Sequence, residues 1–318
     1  MADSLTSYYS NSGAGVREMK DTIFEDLENV IQTITPHKTP FISSINTLKA
    51  KNVLHEWLED ELKTPTGDNK AIEGADAVAT ARIAPSRLSN YCQILEDSFK
   101  ISGTLDAVTP MGRQRIKRYE SDKSLKYLNT ELEYAALNNA AASAGDAGTA
   151  RQMKGMEGFI STNDKSYASY AAGNDFSEAK LLEMSQACYE AGGEPSMILV
   201  GPVQARKIAN WNQAGRITVN TNASEQTLVM AVMVLETPFG RMKVTIDRYL
   251  AKDDDAGTKY DRVYVYDPSR CSMAFLRPFK CVELAQTGDS IKCQSIVEAT
   301  FVMHNEKSAA KCKKCATD

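Results

Sequence analysis

Residues 109–137 read TPMGRQRIKRYESDKSLKYLNTELEYAAL, and this stretch decides the fold. Thr109 suits a helix N-cap and Pro110 the first helical position, where its missing N–H leaves nothing unpaired. Gly112 is the one weak point, and strong helix formers follow it without a break. Leu125, Leu128, Leu132 and Ala135 recur at helical spacing and make a single apolar stripe. Asp122 before Lys126 adds a favourable i,i+4 pair. Glu131 and Glu133 read as ordinary surface charge. At ~1.5 Å per residue the element is ~40 Å long, about the width of a small domain. A rod of that length needs another layer to lie across.

Upstream, residues 1–18 are polar and Gly/Ser-rich. Ile23, Leu27, Val30, Ile31 and Ile34 suggest a short amphipathic helix that Pro36 ends. Pro36 and Pro40 then favour an extended run, so residues 1–50 read as an arm. Residues 51–101 read as a long hairpin: Val53–Leu62, a polar interruption from Lys63 to Asp76, Val78–Ile83, and a return from Arg87 to Ile101. Each arm reaches up to ~50 Å if extended. Neither has a clean core face, and an isolated hairpin is marginal in water. A neighbouring subunit is the natural surface to hold it; folding back on its own domain is the other possibility.

Downstream, Asn138–Gly148 breaks the helical pattern. A helix beginning at Asp175 or Ser177 runs to Glu190 and is closed by Gly192-Gly193. Ser196–Val200 is a short buried strand, and Gly201-Pro202 opens a helix to Trp211. Leu228–Leu235 reads as a central strand, followed by Met242–Ile246 and Tyr260–Tyr266. These make an α/β unit with a mixed sheet. Phe279–Ala285 and Ile291–Met303 alternate around the turn Thr287-Gly288-Asp289. Ile291, Cys293, Val297, Ala299, Phe301 and Met303 share one face, suited to pack on the long helix. The tail Lys307–Asp318 is charged and reads as loose.

Composition narrows the function. The 318 residues carry 25% charged side chains and a net charge of −4, which does not suit a protein gripping nucleic acid through a broad cationic surface. MADSLTSYYSNSGAG has no apolar leader core, and no window of ~18 residues is apolar enough to span a membrane. An intracellular product is expected, with Cys92, Cys188, Cys281 and Cys293 as small buried hydrophobes.

The chemistry of an active site is missing. His37, His55 and His304 sit in no nucleophile setting, and neither a P-loop nor a dinucleotide fingerprint occurs. Gly201-Pro202 can cap an anion-binding helix, though tight strand-to-helix packing is the commoner reason for such a turn. Cys312-Lys-Lys-Cys315 has half of a zinc spacing without a second half. Asp253-Asp-Asp255-Ala-Gly257 departs from the calcium-loop pattern and reads as a solvated acidic loop. No catalytic residue, metal ligand or cofactor is assigned.

The layout resembles the major capsid proteins of tailed bacteriophages with the Hong Kong 97-type fold. The matching residues are Thr39-Pro40-Phe41, Glu56-Trp57 with Asp60, and Ser102-Gly103-Thr104. Further along they are Phe275-Leu276-Arg277-Pro278-Phe279, Leu284 to Asp289, and Glu298 through Asn305-Glu306. Their order and spacing carry the likeness, over residues 20–306. It implies an α+β fold with an N-terminal arm (1–50), an extended hairpin loop (51–101) and a spine helix with peripheral domain (102–145). An α/β axial domain (146–270), peripheral return strands (271–306) and a tail (307–318) complete it.

It also implies a structural, non-enzymatic function. Homo-pentamers and homo-hexamers would close an icosahedral shell around double-stranded DNA, assembled in the host cytoplasm. Portal, scaffold and decoration proteins are the further partners, with no membrane. Subunit contacts are expected at Trp57, Glu59, Asp60, Lys63, Lys70, Arg82, Arg87 and Arg277. Some relatives cross-link through a loop lysine, a role open to Lys63 or Lys70, although a lysine in a polar loop ordinarily serves solubility. A bacterial nanocompartment shell of the same fold and an α/β enzyme are the alternatives.

Overall fold

The computed structural model describes residues 37–74, 76, 82–107, 116–169, 171, 173–211, 234–255, 258–286 and 288–317. In chain order they form α1 (Pro40–Ser44), β1 (Asn46–Lys49), β2 (Leu54–Glu59), β3 (Ser86–Tyr91), β4 (Gln93–Ser102), α2 (Gly103–Ala107) and α3 (Ile116–Asn138). Next come α4 (Met156–Phe159), α5 (Glu178–Glu190), β5 (Met197–Val200), α6 (Pro202–Trp211), β6 (Val234–Thr237), β7 (Gly240–Ile246) and β8 (Asp253–Asp255). The last are β9 (Thr258–Tyr266), β10 (Cys271–Glu283), β11 (Ser290–Met303) and β12 (Ala310–Ala316).

Two sheets organise these elements. The first has the order β1-β10-β11-β4, with α3 packed across it. Leu128, Leu132 and Ala135 of the expected stripe are buried, while Leu125 is half-buried and Ser124 takes the inner position beside it. Leu132 and Ala135 meet Ala299, Phe301 and Met303 of β11 in one core, as the alternation of that strand requires. The β10–β11 register shifts on either side of Arg277, next to Pro278, which has no N–H for the ladder.

The second sheet is mixed, in the order β12-β9-β5-β7-β6, with β8 on β9. β5 and the second half of β9, Val263–Tyr266, read as continuous apolar runs because both their faces are buried. Ile198, Val200, Val263 and Val265 face α5 and α6, while Leu199, Tyr264 and Tyr266 join the core beneath α3. Ser177 caps α5, its hydroxyl accepting from Lys180 N–H at 3.3 Å. Gly201 opens α6 where a Cβ would come within 3.0 Å of the Asp261 carboxylate, so tight packing accounts for the glycine.

Several expectations are corrected. The segment at Pro40 is not extended: Pro40 starts a helical turn, and Phe41 is fully buried, edge-on to Tyr266 and against Phe301. Glu133 is not surface charge; it is fully buried and accepts the N–H groups of Phe41 and Ile42, each at 2.7 Å. The return strand breaks at Cys92, whose N–H turns to Val53 C=O, so β3 pairs with β2 while β4 pairs with β11. Among the described residues Val234–Thr237 pairs with β7 alone and so lies at the edge of the sheet. Asp253–Asp255 pairs with β9 as a strand.

The tail is the largest correction. Ala310–Ala316 forms β12 on β9, and even Lys311 is buried, because Glu157 and Asp164 supply its counter-charges. The expected helix at Lys20–Ile34, the helix start at Thr109–Arg115, the strand at Val78–Ile83 and the first part of Leu228–Leu235 lie outside, or partly outside, the described residues.

Candidate assembly surface

The hairpin loop is fastened at its root. Trp57 donates its indole N–H to Met303 C=O at 3.1 Å and sets its ring 5.9 Å from Phe159. Asn90 is buried and saturates its side chain: its amide donates to Phe301 C=O (2.7 Å) and Lys154 C=O (2.9 Å), and its carbonyl oxygen accepts Lys154 N–H (2.8 Å). Both residues therefore peg the two-stranded root to the end of β11. Cross-strand Arg87 and Glu56 lie 3.7 Å apart on the exposed side.

Past Glu59 the ladder ends, and residues 60–74 have no strand partner among the described residues. Leu62 is 96% exposed and Ile72 82% exposed, with Leu58 and Ile83 also open to solvent. Isolated apolar side chains on a surface are normal, but several on one segment without a core of its own are not. A cleft of about 800 Å³ lies where the loop leaves the body, between Leu58–Leu62, the end of α5 at Ala191-Gly192, and Arg270, His304, Asn305 and Lys307. Glu61 pairs with Lys307 across it. Desolvation in the cleft raises the Glu59 carboxyl above its usual range despite the nearby Lys307 charge.

Of the expected contact residues, Trp57 and Arg277 are engaged within the chain and Glu59 is half-buried in the cleft, whereas Asp60, Lys63, Lys70, Arg82 and Arg87 stand exposed. Arg277 Nε lies 2.7 Å from Glu298, whose other oxygen takes Arg151 at 2.8 Å. Among the described residues Lys70 pairs with its loop neighbour Asp68, at 3.9 Å. Leu62 and Ile72 were missed by the sequence reading; their signal was an apolar residue inside an otherwise polar interruption.

The short motifs that carried the resemblance meet in space. Thr39 accepts from Asn129 on α3 at 2.7 Å. Gly103 N–H donates to Asp289 C=O, and a Cβ on Gly103 would strike the Asp289 side chain at 2.2 Å. Arg277 and Glu298 form the pair just described. Glu306 accepts from Ser161 N–H at 2.9 Å. Each motif is thus half of a tertiary contact that fixes one layer against another.

A buried charge cluster joins β9 and β12 to α4. Glu157 takes Lys313 at 2.7 Å, Tyr264 O–H at 2.9 Å and Arg262 at 3.4 Å. Burial alone would raise its carboxyl; the Lys313 hydrogen bond and the three cations hold it below the usual range.

Comparison with known proteins agrees with this geometry. The family model described as SU10 major capsid protein matches residues 5–316. The major capsid protein of Escherichia phage Phieco32 is 23% identical over 310 residues, covering 82% of this chain and 85% of that one. Among solved structures, the capsid of a native GTA particle superposes with a TM-score of 0.64 at 14% identity, over 96% of this chain and 100% of that one. The holo-SrpI encapsulin complex of Synechococcus elongatus gives 0.60 at 7% identity, over 96% and 97%. The fold is of the Hong Kong 97 type, and the chain belongs to the SU10 major capsid protein family of bacteriophages.

Proposed function

We propose that copies of this chain form pentamers and hexamers that close an icosahedral shell around double-stranded DNA, with residues 51–101 of each copy lying across its neighbour. The single observation carrying this reading is the loop: 15 described residues, 60–74, without a strand partner and bearing Leu62 and Ile72 in solvent. Burial against a neighbour stabilises such a segment by roughly 25 cal/mol per Å² of apolar surface covered. Glu59, Asp60, Lys63, Lys70, Arg82 and Arg87 supply the polar rim of that contact, and Trp57 and Arg277 fix where it starts. In this reading residues 1–50 are an arm to further subunits, 102–145 and 271–306 form the peripheral domain, and 146–270 surround the capsomer axis. A net charge of −4 suits a container that holds DNA without gripping it. Portal, scaffold and decoration proteins complete the particle, which is assembled in the host cytoplasm.

Deleting Pro65–Glu73 tests this. The shortened protein is expected to be soluble and folded by circular dichroism, yet to yield few closed particles in negative stain. Normal yields of intact shells would remove the loop from the assembly contact. The encapsulin likeness favours a second reading, a nanocompartment around a protein cargo. Nuclease-protected genomic DNA inside purified particles selects the first reading, and a co-purifying enzyme without DNA selects the second.

A further inference from the structure

Cys312 and Cys315 have no part in the shell reading. Both are free and fully buried, and their Sγ atoms lie 3.5 Å apart, in contact. Residues three apart on a regular strand face opposite ways and stand about 10 Å apart. Here a bulge intervenes: Cys312 lies opposite Val263 and Cys315 opposite Asp261, so three steps along β12 match two along β9. Val263 and Asp261 share a face of β9, and the two thiols therefore share a face of β12. Within the bulge Lys314 takes φ 60°, the one non-glycine residue with positive φ among the described residues. That backbone is disfavoured for any side chain with a Cβ.

The distortion is held from both sides. Asn163 C=O accepts Lys311 N–H, Lys165 N–H donates to Lys311 C=O, and Tyr167 N–H donates to Lys313 C=O. Beyond the bulge Ala316 is fixed through Asn174 C=O and the side chains of Gln204 and Lys207. An apolar core needs none of this, since a regular strand buries alternate side chains without strain. What the bulge achieves is contact between two sulfurs.

We propose that Cys312 and Cys315 are an oxidisable pair, closed into an intrachain disulfide by low-molecular-weight disulfides of the glutathione class, and that the bond fixes the bulge of β12 in the conformation that pairs with β9. In the first step the Cys312 thiolate attacks one sulfur of the small disulfide, forming a mixed disulfide and releasing one thiolate. Cys315 then loses its proton and attacks the Cys312 sulfur, forming the intrachain bond and releasing the second thiolate. The pair gives up two electrons and two protons; the small disulfide becomes two thiols. Cys315 is held well above the ordinary thiol range, first by its hydrogen bond with Cys312 and then by burial. Reaction accordingly follows transient opening of the chain's last strand. A glutathione-reducing interior keeps the dithiol, and an oxidising exterior closes it. The chemistry needs only the fold; its timing, after release from the cell, rests on the shell reading.

Purified full-length protein is incubated with glutathione disulfide, unfolded in an alkylating reagent and mapped by peptide mass spectrometry. The expected product is a Cys312–Cys315 peptide lighter by two hydrogens, resistant to alkylation and restored by a thiol reductant. Cys315→Ser is expected to accumulate a glutathione adduct on Cys312 in place of the closed bond. On native protein, carboxypeptidase digestion past Cys315 should slow about tenfold after oxidation, as local opening is suppressed. Full alkylation of both thiols after oxidation overturns the proposal. So does closure of Cys281 with Cys293 on β10 and β11 while the β12 thiols stay free. The wild-type mapping stands whether or not the serine variant folds.

Discussion

Glu133, fully buried, holds the first turn of α1 by two backbone N–H groups while lying beside Asp247. Burial first, and the Asp247 charge second, push the Glu133 carboxyl up to about 8 from 4.5, and burial raises Asp247 too. Asp247 Oδ2 has no hydrogen-bond donor unless the pair keeps a proton. Between pH 4.5 and about 8 the native state therefore binds more protons than the unfolded chain, and stability falls as pH rises through that window. Thermal melts from pH 4.5 to 9 should show a falling Tm in the wild type and a flatter profile in Glu133→Gln; equal slopes would contradict the shared proton. Asn90→Ala should cost about 2–3 kcal/mol, because it removes the hydrogen bonds to two carbonyls and two N–H groups at the loop root, measurable by denaturant unfolding. Glu133 was illegible in the sequence because its partners lie 91 and 92 positions away.

At the scale of elements, periodicity located α3, α5, β5, α6 and β11 because each presents a regular apolar face to one or two layers. It failed where pairing, not pattern, makes the element. β12 carries three lysines in seven residues and reads as solvated, but its charges are met by Glu157 and Asp164, which no local window contains. The break at Cys92 is equally silent: β3 and β4 look like one strand, and only their two different partners divide them. A close approach between elements gives a direct test. A Cβ on Gly155 would stand 2.7 Å from the carbonyl oxygens of Ala135 and Ala136, backbone atoms of α3 that cannot step aside. Gly155→Ala should destabilise by roughly 2 kcal/mol or more through overpacking, read as a lowered denaturant midpoint with secondary structure retained.

For the whole molecule, the candidate surface was legible in outline, since a long polar hairpin with scattered leucines and isoleucines has no core of its own. Which of its residues face inward was not. Trp57 and Arg277 turn to their own chain because Met303 C=O and Glu298 are presented by β11, a strand more than 200 positions from Trp57 in sequence but next to it in space. One strand thus carries the spine helix on its buried face and pegs the loop root at its end. That shared mounting makes the loop a pointer geared to the spine. Residues 60–74 span at most about 50 Å at full extension, so a tilt of about 5° at the root sweeps the far end by about 4 Å, roughly the diameter of a methyl group. A small rocking of α3 on its sheet would be read out, magnified, at whatever the loop touches.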